Sequence, residues 1–559
     1  MKQLGILMVF LFMTTAGFAQ APTVGAVANA GSNVIAGLPN APLAQGSMFV
    51  LFGANLGPAT LQSASSYPLQ TALGGTSINI TVSGTTTQAL MVYTSAGQVA
   101  AILPSRTPVG TGTLTVSFNG QTSAAFSIQV VQNNFGIFTL NSQGSGAAIV
   151  LDGSFQLITA LKPATPNQTV AVWGTGLGPI TGDETGPPAQ TDMTNVAVEV
   201  YVGTAKATVV YRGRTSYPGI DQVNFTIPSG QLGCNVSVVV KIGSLVSNST
   251  TIALANSNST PCSDPNGLSA TALEQLSSRG NIAIGNVVLS KNTTQLDIST
   301  SLPPGVTLPP GFTLPGSSTT TETGGATFAR YNRDAFLASA GSFSSVSVGG
   351  CAVSTFHGQS AAAALGNFTV LDAGSSIGVT GPNGNRQLNK SAQTVGIYFA
   401  QLSDINQPGY LVPGSYSVNG PGGADVGAFQ TSITASSSLN WLNQSSISTV
   451  NRSQDLNISW SGAGNGQVLI TGTSVTGSAT ATIGATFVCL APAAAGQFTV
   501  PAAVLLALPP SSSAGTGGVS VPTGFLFVGT STTTPFTAPG LDQGFAVYSD
   551  STGKGVTFQ

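Results

Sequence analysis

The chain contains a single histidine, His357, so at most one Ser-His-Asp arrangement is open to it. The hydroxyl residues near it are Ser354, Thr355 and Ser360, and none of them stands in the Gly-x-Ser-x-Gly pattern of a nucleophile elbow. A histidine in such a setting is typical of a loop or a core position. We therefore predict no nucleophilic catalysis at His357.

Paired carboxylates are the second group that could do chemistry, because two of them flanking a glycosidic bond can hydrolyse it. No acidic residue lies between Gln20 and Leu151, so this part of the chain cannot host such a pair unaided. The later carboxylates are scattered, most of them among turn-forming sequences: Asp183, Glu184, Asp297, Asp334, Asp372, Asp404, Asp425 and Asp455. Because Asp readily bonds to its own backbone in turns, we predict turn-forming or solvated roles. No EF-hand sequence is present, and we expect no cofactor.

Tryptophan side chains could bind a sugar by stacking on it, and the chain has three of them. Trp173 stands where Phe52 stands in an earlier, similar segment, which indicates core packing. Trp441 and Trp460 are spaced as on neighbouring strands of one sheet, and they are our candidate ligand-binding residues. Between the two interpretations we favour burial in the core, since large aromatic side chains are buried on average.

The four cysteines are Cys234, Cys262, Cys351 and Cys489. Four thiols allow three connectivities. We favour Cys234–Cys262 together with Cys351–Cys489, because the first pair closes a short loop at the exit of a domain. Metal binding is the alternative, but no Cys-x-x-Cys spacing or neighbouring histidine supports it.

The composition excludes several classes of function. Only 6% of the 559 residues are charged, the net charge is −2, and 42% of the residues are hydrophobic. This composition indicates a folded β protein rather than a disordered chain. Because Lys and Arg form no clusters, the chain has no electrostatic footprint for nucleic acid.

The first residues predict export from the cytoplasm. Lys2 precedes an apolar run from Leu4 to Met13, and small residues follow at Gly17 and Ala19. We expect residues 1–19 to be a cleaved signal peptide, and the protein to be extracellular or at the cell surface. No run reaches the roughly 20 apolar residues of a membrane span, so we expect no membrane insertion once the signal is removed.

An internal repeat sets the organisation of the first half. Residues 52–58, Phe-Gly-Ala-Asn-Leu-Gly-Pro, reappear at 173–179 as Trp-Gly-Thr-Gly-Leu-Gly-Pro, and the pattern at 97–105 reappears at 221–229. The period is too long for a solenoid unit, so one whole domain is present twice. Short β-rich runs separated by turn residues predict a sandwich for each copy, and Asn119-Gly120 predicts a type I′ hairpin.

Two loop motifs in the second copy invite functional interpretations. The glycines of residues 174–178 follow a strand as in a phosphate-binding loop, but Pro179 follows them instead of a helix. We therefore predict turn conformations for these glycines. Arg212 and Arg214 lie in a predicted turn; we expect a solvated loop, with a contact to a partner as the alternative.

Several of these motifs together resemble a known family. In order along the chain, residues 44–57, 68–75, 96–104, 136–138 and 174–178 resemble the Solibacter-type C-terminal domain, an uncharacterised domain of secreted acidobacterial proteins. The strand followed by Gly-Ala-Asn-Leu-Gly is also similar to IPT/TIG modules, which are immunoglobulin-like domains of cell-surface proteins. The resemblance implies an immunoglobulin-like fold and no functional residues, because the family has no established activity.

The resemblance covers residues 22–256 and is broken at one place. Residues 100–102, Ala-Ala-Ile, lack the polar Asn that tends to occur in the family, whereas the second repeat has Asn224.

We predict an all-β protein with tandem immunoglobulin-like β-sandwiches over residues 22–135 and 136–256. A connector follows over 257–325, then a β-rich domain over 326–434 and a β-rich C-terminal domain over 435–559. The connector contains a short helix and a Pro/Thr/Ser-rich linker. The Cys351–Cys489 disulfide would staple the last two regions into one larger unit.

These features favour a secreted or cell-surface, non-enzymatic interaction protein, adhesin-like or part of an extracellular matrix, with a glycan or a surface protein as partner. The alternative is a polysaccharide-binding accessory protein in which Trp441 and Trp460 face solvent. A third hypothesis is a secreted hydrolase with its site in residues 326–559.

Overall fold

The computed structural model describes residues 20–264, 267–295, 319–339, 346–357, 368–392, 396–403, 409–464, 466–478, 481–511, 513–514 and 521–559. The signal peptide expected over residues 1–19 lies outside these ranges, as do Ser360, Asp297, Asp404 and most of the Pro-rich linker. Within them the chain is almost entirely strand and turn, which confirms the all-β class.

Two sheets packed face to face form the first sandwich, here called module 1. Its strands are β1 (Thr23–Asn29), β2 (Leu43–Ala44), β3 (Met48–Ala54), β4 (Gln62–Ser63), β5 (Ala72–Leu73), β6 (Thr76–Val82), β7 (Thr85–Gln88), β8 (Leu90–Thr94), β9 (Gln98–Ile102), β10 (Gly110–Phe118), β11 (Gln121–Thr122) and β12 (Phe126–Val131). One sheet has the order β1-β3-β9-β8-β4 and the other β2-β12-β10-β6-β5. Alternate residues of β6, such as Ile78 and Ile80, are fully buried between them.

The predicted hairpin at Asn119-Gly120 is confirmed. It joins β10 to β11 with Phe118 opposite Gln121. Asn119 and Gly120 have φ of 47° and 79°, and a type I′ turn requires positive φ at both of its central residues.

The second sandwich, module 2, repeats this plan. Its strands are β13 (Gly136–Ile137), β14 (Val150–Leu151), β15 (Thr169–Thr175), β16 (Val198–Val202), β17 (Ala205–Arg214), β18 (Asp221–Thr226), β19 (Gly233–Ile242), β20 (Leu245–Val246) and β21 (Thr250–Leu254). They follow the order β13-β15-β18-β17-β16-β19-β20, with β14 on β15 and β21 on β19. Strand β17 pairs with both β18 and β16 and so connects the two halves of the sandwich.

A buried ion pair organises the glycine loop of module 2. The Asp221 carboxylate accepts hydrogen bonds from the backbone N–H groups of Gly176 (2.7 Å) and Leu177 (2.8 Å). The amides of the loop therefore face an anion, and this anion is the Asp221 side chain of the protein itself. The glycines thus serve as turn residues, as predicted. Arg214 pairs with Asp221, and both side chains are buried. The solvated loop expected for Arg214 is thus wrong: this residue ends strand β17 in the interior.

The same arginine joins module 1 to module 2. Its second guanidinium nitrogen donates to the carbonyl of Gly46 in module 1 (2.9 Å). Nearby, Asn29 donates from its side-chain amide to the carbonyl of Thr175 (3.2 Å), and the Thr175 hydroxyl accepts from the N–H of Met48 (2.8 Å). Side chains of each module thus bond to backbone groups of the other, and these hydrogen bonds set one relative orientation of the two modules.

We expect Arg214→Met to lower the free energy of unfolding by about 3–5 kcal/mol, because it leaves the Asp221 carboxylate charged and unpaired in the interior. Arg212→Met is the matched control: Arg212 pairs with the part-exposed Asp192 at 3.1 Å, and loss of such a pair costs about 1 kcal/mol or less. Equilibrium urea unfolding measures both values, and equal losses in the two variants would contradict the structural role of Arg214.

A second charge cluster lies on the surface of module 2. The Glu199 carboxylate accepts a hydrogen bond from the Tyr201 hydroxyl (2.6 Å) and pairs with Lys206 (3.1 Å) and Lys241 (3.2 Å). The Tyr201 hydrogen bond and the two ammonium groups lower the pKa of Glu199 to about 2. Burial and the adjacent carboxylate raise the pKa of Tyr201 to about 12.

Because the folded-state pKa of Glu199 lies below its unfolded value of about 4.3, this group stabilises the fold above that pH. The stabilisation is lost as the pH falls towards 2. We expect Glu199→Gln to lose less stability than the wild type between these two pH values, measured by thermal unfolding across the range. Glu274→Gln, at an exposed position of a helix, is the control and should follow the wild type.

The remaining described residues form one large β unit with three short helices. The helices are α1 (Ala270–Ser277), α2 (Arg333–Ser339) and α3 (Ala502–Leu505). The strands are β22 (Asn281–Gln295), β23 (Thr319–Asn332), β24 (Cys351–His357), β25 (Phe368–Val370), β26 (Ser376–Gly381), β27 (Gly384–Lys390), β28 (Ile397–Gln401), β29 (Gly414–Gly420), β30 (Phe429–Ala435), β31 (Asn440–Trp441), β32 (Thr449–Val450), β33 (Leu456–Ser461), β34 (Gln467–Ser478), β35 (Ala481–Pro492), β36 (Gln497–Val500), β37 (Ser513–Ala514), β38 (Val521–Pro522), β39 (Gly524–Phe536) and β40 (Gln543–Phe558). Helix α1 falls where the sequence predicts a helix and buries Leu273 and Leu276.

A continuous sheet runs through this C-terminal unit in the order β24-β35-β34-β39-β40-β22-β23-β28-β27-β26-β29-β30. It covers two apolar cores. Strands β39 and β40 are long enough to serve both: Phe536 and Tyr548 lie in one core, and Leu526 and Phe558 lie in the other. The sheet therefore does not stop at the boundary expected between residues 434 and 435.

Part of the expected connector belongs to this sheet. Residues 281–295 and 319–325 lie in β22 and β23, which pair with each other along their length. Four of the residues 319–325 are Thr, a β-branched residue that fits a pleated strand. The structure therefore places central strands where the sequence suggested an extended link.

Charged side chains occupy the sheet where the two cores meet. Lys291 of β22 stands opposite Glu322 of β23 and Asp550 of β40. Glu322 is fully buried and accepts a hydrogen bond from the N–H of Leu411 (3.0 Å), while Asp550 accepts one from the Ser438 hydroxyl (2.6 Å). These partners offset part of the cost of burying the carboxylates, since one oxygen of Glu322 has no hydrogen-bond partner among the described residues.

The structure pairs Cys234 with Cys262 and Cys351 with Cys489, the connectivity that the sequence favours. Cys351 and Cys489 stand directly opposite each other on β24 and β35. This bond spans 138 residues of sequence and fixes β24, the first strand of the large sheet, to its neighbour.

Candidate functional site

A groove lies between the outer face of module 1, residues 138–143 of module 2 and the end of β24. Its volume is about 700 Å³. We call it the aromatic groove, because Phe52, Tyr93, Phe138 and Phe356 line it. The polar side chains around these rings belong to Asn33, Gln98, Ser142, Gln143, Thr355 and His357.

Strand alternation explains how module 1 supplies one wall. In β3 the side chains of Phe49 and Leu51 point into the core and are fully buried, so Val50 and Phe52 lie on the opposite face. Phe52 is 40% exposed. Its cross-strand neighbour is Gln98, so an aromatic ring and an amide lie side by side.

The polar groups of the groove are held in place. The Gln98 amide donates to the Tyr93 hydroxyl (2.8 Å), and burial raises the pKa of Tyr93, which keeps that hydroxyl protonated at neutral pH. The Asn33 amide donates to the carbonyl of Ser142 (2.9 Å) and so fastens the module 2 segment to module 1. These contacts fix two walls of the groove relative to each other.

The lining of the groove is poor in charged side chains. None of its described lining residues is Asp, Glu, Lys or Arg. Arg106 is the only charged residue between positions 22 and 135, so module 1 adds almost no field of its own. Such a site favours an uncharged ligand, because a charged one would lose its hydration without gaining a counter-charge.

His357 lies at the end of β24, exposed, and lines this groove. The sequence predicted a loop or a core position, and an exposed place at a strand end differs from both. Within the described ranges its imidazole makes no hydrogen bond to a carboxylate or a hydroxyl. The described residues thus provide His357 with no group that would orient it as a general base.

The described carboxylates that the sequence singles out serve local structure. Asp183 accepts from the N–H and the hydroxyl of Thr185, and Glu184 accepts from the N–H of Ser105 (2.9 Å) across the module junction. Asp425 accepts from the N–H of Asp372 (2.9 Å). Among the described residues, no group of three or more His, Cys, Asp or Glu side chains could hold a metal ion.

Asp372 illustrates these local roles. It accepts from Lys390 (2.8 Å) and from the N–H of Gly374, and the Lys390 ammonium lowers the pKa of this carboxyl. Asp455 accepts from the N–H of Ala502 at the start of α3. A catalytic acid needs a raised pKa, so Asp372 is poorly suited to that role.

The structure corrects the interpretation of Trp441 and Trp460 as ligand-binding residues. They are 6% and 3% exposed and face each other across β31 and β33 inside the second core of the C-terminal unit. The indole N–H of Trp460 donates to the carbonyl of Ala493 (2.9 Å), and that of Trp441 donates to Asn443 (3.0 Å). With their faces packed and their N–H groups paired, these rings cannot stack on a sugar.

Trp173 and Phe52 also differ from expectation. Both were expected in the core, yet both lie on the outer faces of their strands, at equivalent positions opposite Gln222 and Gln98. Trp173 is half-buried, with its ring centroid 6.1 Å from that of Tyr217. The repeat therefore conserves an outward aromatic position rather than a core one.

The aromatic groove was not predicted from the sequence, because its walls come from three distant segments. One signal was present: β3 is apolar on both faces, which indicates that something covers its outer face. A second was the departure at Ala100, a small residue in the groove at the position of Asn224 in module 2.

No protein-family model and no curated protein sequence matches this chain. The chain is similar to the plexin A4 extracellular region, with 14% identity over 42% of this chain and 18% of that one, and a TM-score of 0.14. It is also similar to the gamma-CGTase of an alkalophilic Bacillus clarkii, with 11% identity over 62% of this chain and 37% of that one, and a TM-score of 0.16. The chain thus spans well under two thirds of both of these proteins.

A third similar structure is SGBP-B from a xyloglucan utilization locus of Bacteroides uniformis. The identity is 10% over 91% of this chain and 98% of that one, and the TM-score is 0.14. Similarities at these TM-scores carry no argument about the function of this protein. No α-helix in the described ranges is both long and apolar enough to cross a bilayer.

We expect Trp460→Ala to lower the free energy of unfolding of the C-terminal unit by about 3–5 kcal/mol, because it leaves a cavity and an unpaired Ala493 carbonyl in the core. Leu442→Ala is the control, since Leu442 is 56% exposed beside Trp441 and should have little effect. Urea unfolding measures both. A stable Trp460→Ala variant that fails only in ligand binding would restore the original interpretation.

Proposed function

We propose that this protein is a secreted, non-enzymatic binding protein and that its aromatic groove binds a neutral glycan. The observation that carries the proposal is the combination of one exposed and three partly buried aromatic rings with amide and hydroxyl groups, in a groove whose described lining has no Asp, Glu, Lys or Arg. This choice favours the polysaccharide-binding hypothesis but moves its site from Trp441 and Trp460 to the aromatic groove. Glycan binding is also compatible with an adhesive or matrix role, since an adhesive or matrix protein can act by binding glycans.

The chemistry of a neutral sugar fits these groups. A pyranose ring has apolar C–H faces that pack on aromatic rings such as Phe52 and Tyr93. Its hydroxyls both donate and accept hydrogen bonds, as do the amides of Gln98 and Gln143 and the hydroxyl of Thr355. Binding sites typically combine an apolar lining with a few placed polar groups in this way.

The groove is built on rigid supports. Module 1 and module 2 are joined by the Arg214 and Asn29 hydrogen bonds, and Asn33 fixes the segment at Ser142. Strand β24 is anchored by the disulfide at Cys351. A preformed groove loses little conformational entropy on binding, which favours affinity for a weakly interacting ligand such as a sugar.

Location outside the cytoplasm is supported by the disulfides and by the sequence of residues 1–19. Disulfides form and persist in oxidising compartments, and all four cysteines are paired. The absence of an enzymatic role is supported by the local bonding of the described carboxylates and by the unoriented imidazole of His357. We also propose that residues 22–256 belong with the Solibacter-type and IPT/TIG-like modules, supported by the tandem sandwiches.

The proposal predicts that residues 20–559 are retained on at least one neutral insoluble polysaccharide, such as cellulose, xylan, chitin or a β-glucan. We expect Phe52→Ala and Tyr93→Ala each to weaken binding about tenfold, which corresponds to a loss of about 1.4 kcal/mol. Pull-down on the solid polysaccharide and calorimetry with a soluble oligosaccharide of the same linkage measure the effect.

Phe399→Ala is the matched control, because Phe399 is 56% exposed on the C-terminal unit and does not line the groove. The substitution at Phe52 should leave thermal unfolding nearly unchanged, since this ring is exposed and does not belong to the main core of module 1. Tyr93 packs against Ala28, Val50 and Ala100, so binding by Tyr93→Ala is compared at a temperature where thermal unfolding shows the variant to be folded. Failure to bind any neutral polysaccharide, or binding that is indifferent to both substitutions, would overturn the proposal.

A further inference from the structure

A second cavity, distinct from the aromatic groove, lies where three parts of the chain meet. Its volume is about 410 Å³. Module 2 contributes Ile158 and Ile252, the helices contribute Leu273 and Phe336, and the outer face of the large sheet contributes Ile284 and Phe545. We call it the junction cavity. None of these six side chains takes part in the function proposed above.

The lining is mainly apolar, with a few polar side chains. The Asp264 carboxylate accepts from the Ser347 hydroxyl (2.7 Å) and from the N–H of Cys234 (2.9 Å), so its position is fixed beside the first disulfide. Asn286 and Tyr331 also line the cavity, and their side chains make no hydrogen bond to any other residue that the structure describes. Two polar groups are thus available to a ligand.

The groups that line the cavity indicate which net charge its ligand can carry. No Lys, Arg or His is among the described residues that line the cavity, so an anion would find no counter-charge there. Burial also raises the pKa of Asp264 and that of Tyr331, so both environments disfavour a negative charge. An anion is therefore a poor occupant. The Tyr331 hydroxyl stays protonated at neutral pH and can donate a hydrogen bond, while the Asn286 amide can both donate and accept.

The volume and the polarity of the cavity indicate the size and the polarity of its ligand. A cavity of about 410 Å³ lies within the range of small-molecule sites. Apolar cavities much smaller than this stay dry and bind apolar molecules such as benzene. We propose that the junction cavity binds a small, neutral, mainly apolar molecule that carries one or two polar atoms for Asn286 and Tyr331.

A molecule bound there touches module 2, helices α1 and α2 and the large sheet at once. It would therefore stabilise their arrangement by mass action, because it binds the assembled junction and not the separated parts. The thermal stability of the protein should rise with ligand concentration.

The test uses residues 20–559 and N-phenyl-1-naphthylamine, a neutral aromatic amine whose fluorescence rises in apolar surroundings. We expect saturable fluorescence enhancement and a higher melting temperature with the wild type. Ala160→Phe places a ring in the cavity and should abolish the enhancement, whereas Tyr331→Phe should weaken binding of the probe at least twofold.

Two controls separate the cavity from other surfaces. Ala124→Phe adds the same ring at an exposed position of module 1 and should bind the probe like the wild type. Phe52→Ala alters the aromatic groove and should also leave the enhancement unchanged, so failure of the glycan proposal does not affect this one. Circular dichroism checks that Ala160→Phe is folded; if it is not, Tyr331→Phe decides. Absence of enhancement in the wild type, or enhancement that both cavity variants retain, would overturn the proposal.

Discussion

The buried pairing of Arg214 with Asp221 is the interaction on which the shape of the first half depends. Asp221 holds the backbone of the glycine loop, and Arg214 reaches from module 2 to the carbonyl of Gly46 in module 1. A charge pair is stable in the interior only when its remaining hydrogen-bonding positions are filled, so each partner requires the loop and the neighbouring module to stay where they are. The orientation of the two modules, and with it one corner of the aromatic groove, follows from that requirement.

The architecture of the C-terminal unit depends on the length of two strands rather than on a buried ion pair. Strands β39 and β40 are long enough to cross from one apolar core to the next, so a single sheet carries both, and the charged residues around Glu322 lie where the cores meet. Its edge strand β24 is fixed by the disulfide at Cys351 and ends at His357 beside module 1. Its outer face packs against module 2 and the helices, and the junction cavity is the space that these surfaces leave. Both candidate binding sites therefore lie between units.

The sequence was informative wherever a local rule applied. The repeat and the short β-rich runs predicted sandwiches, Asn119-Gly120 predicted a hairpin that the structure contains, and the cysteine spacing favoured the disulfides that form. It was misleading where burial depends on distant partners. The sequence around Arg214 is typical of a solvated turn, and only the contact with Asp221 makes Arg214 an interior residue. The spacing of Trp441 and Trp460 is that of neighbouring strands and left both a core position and a binding surface open, and only the core formed around them shows that their faces are covered.

The sequence alone determined that this is a weakly charged, strand-rich, disulfide-bonded protein with two copies of one domain, because composition, alternation and turn residues act over a few positions. Tertiary structure decided which faces are left open. The rings of the aromatic groove come from Phe52, Tyr93, Phe138 and Phe356, and nothing in their spacing along the chain relates them. They meet because tertiary contacts, such as the hydrogen bond from Asn33 to Ser142, bring three distant segments together, and such long-range contacts leave no periodic pattern in the sequence.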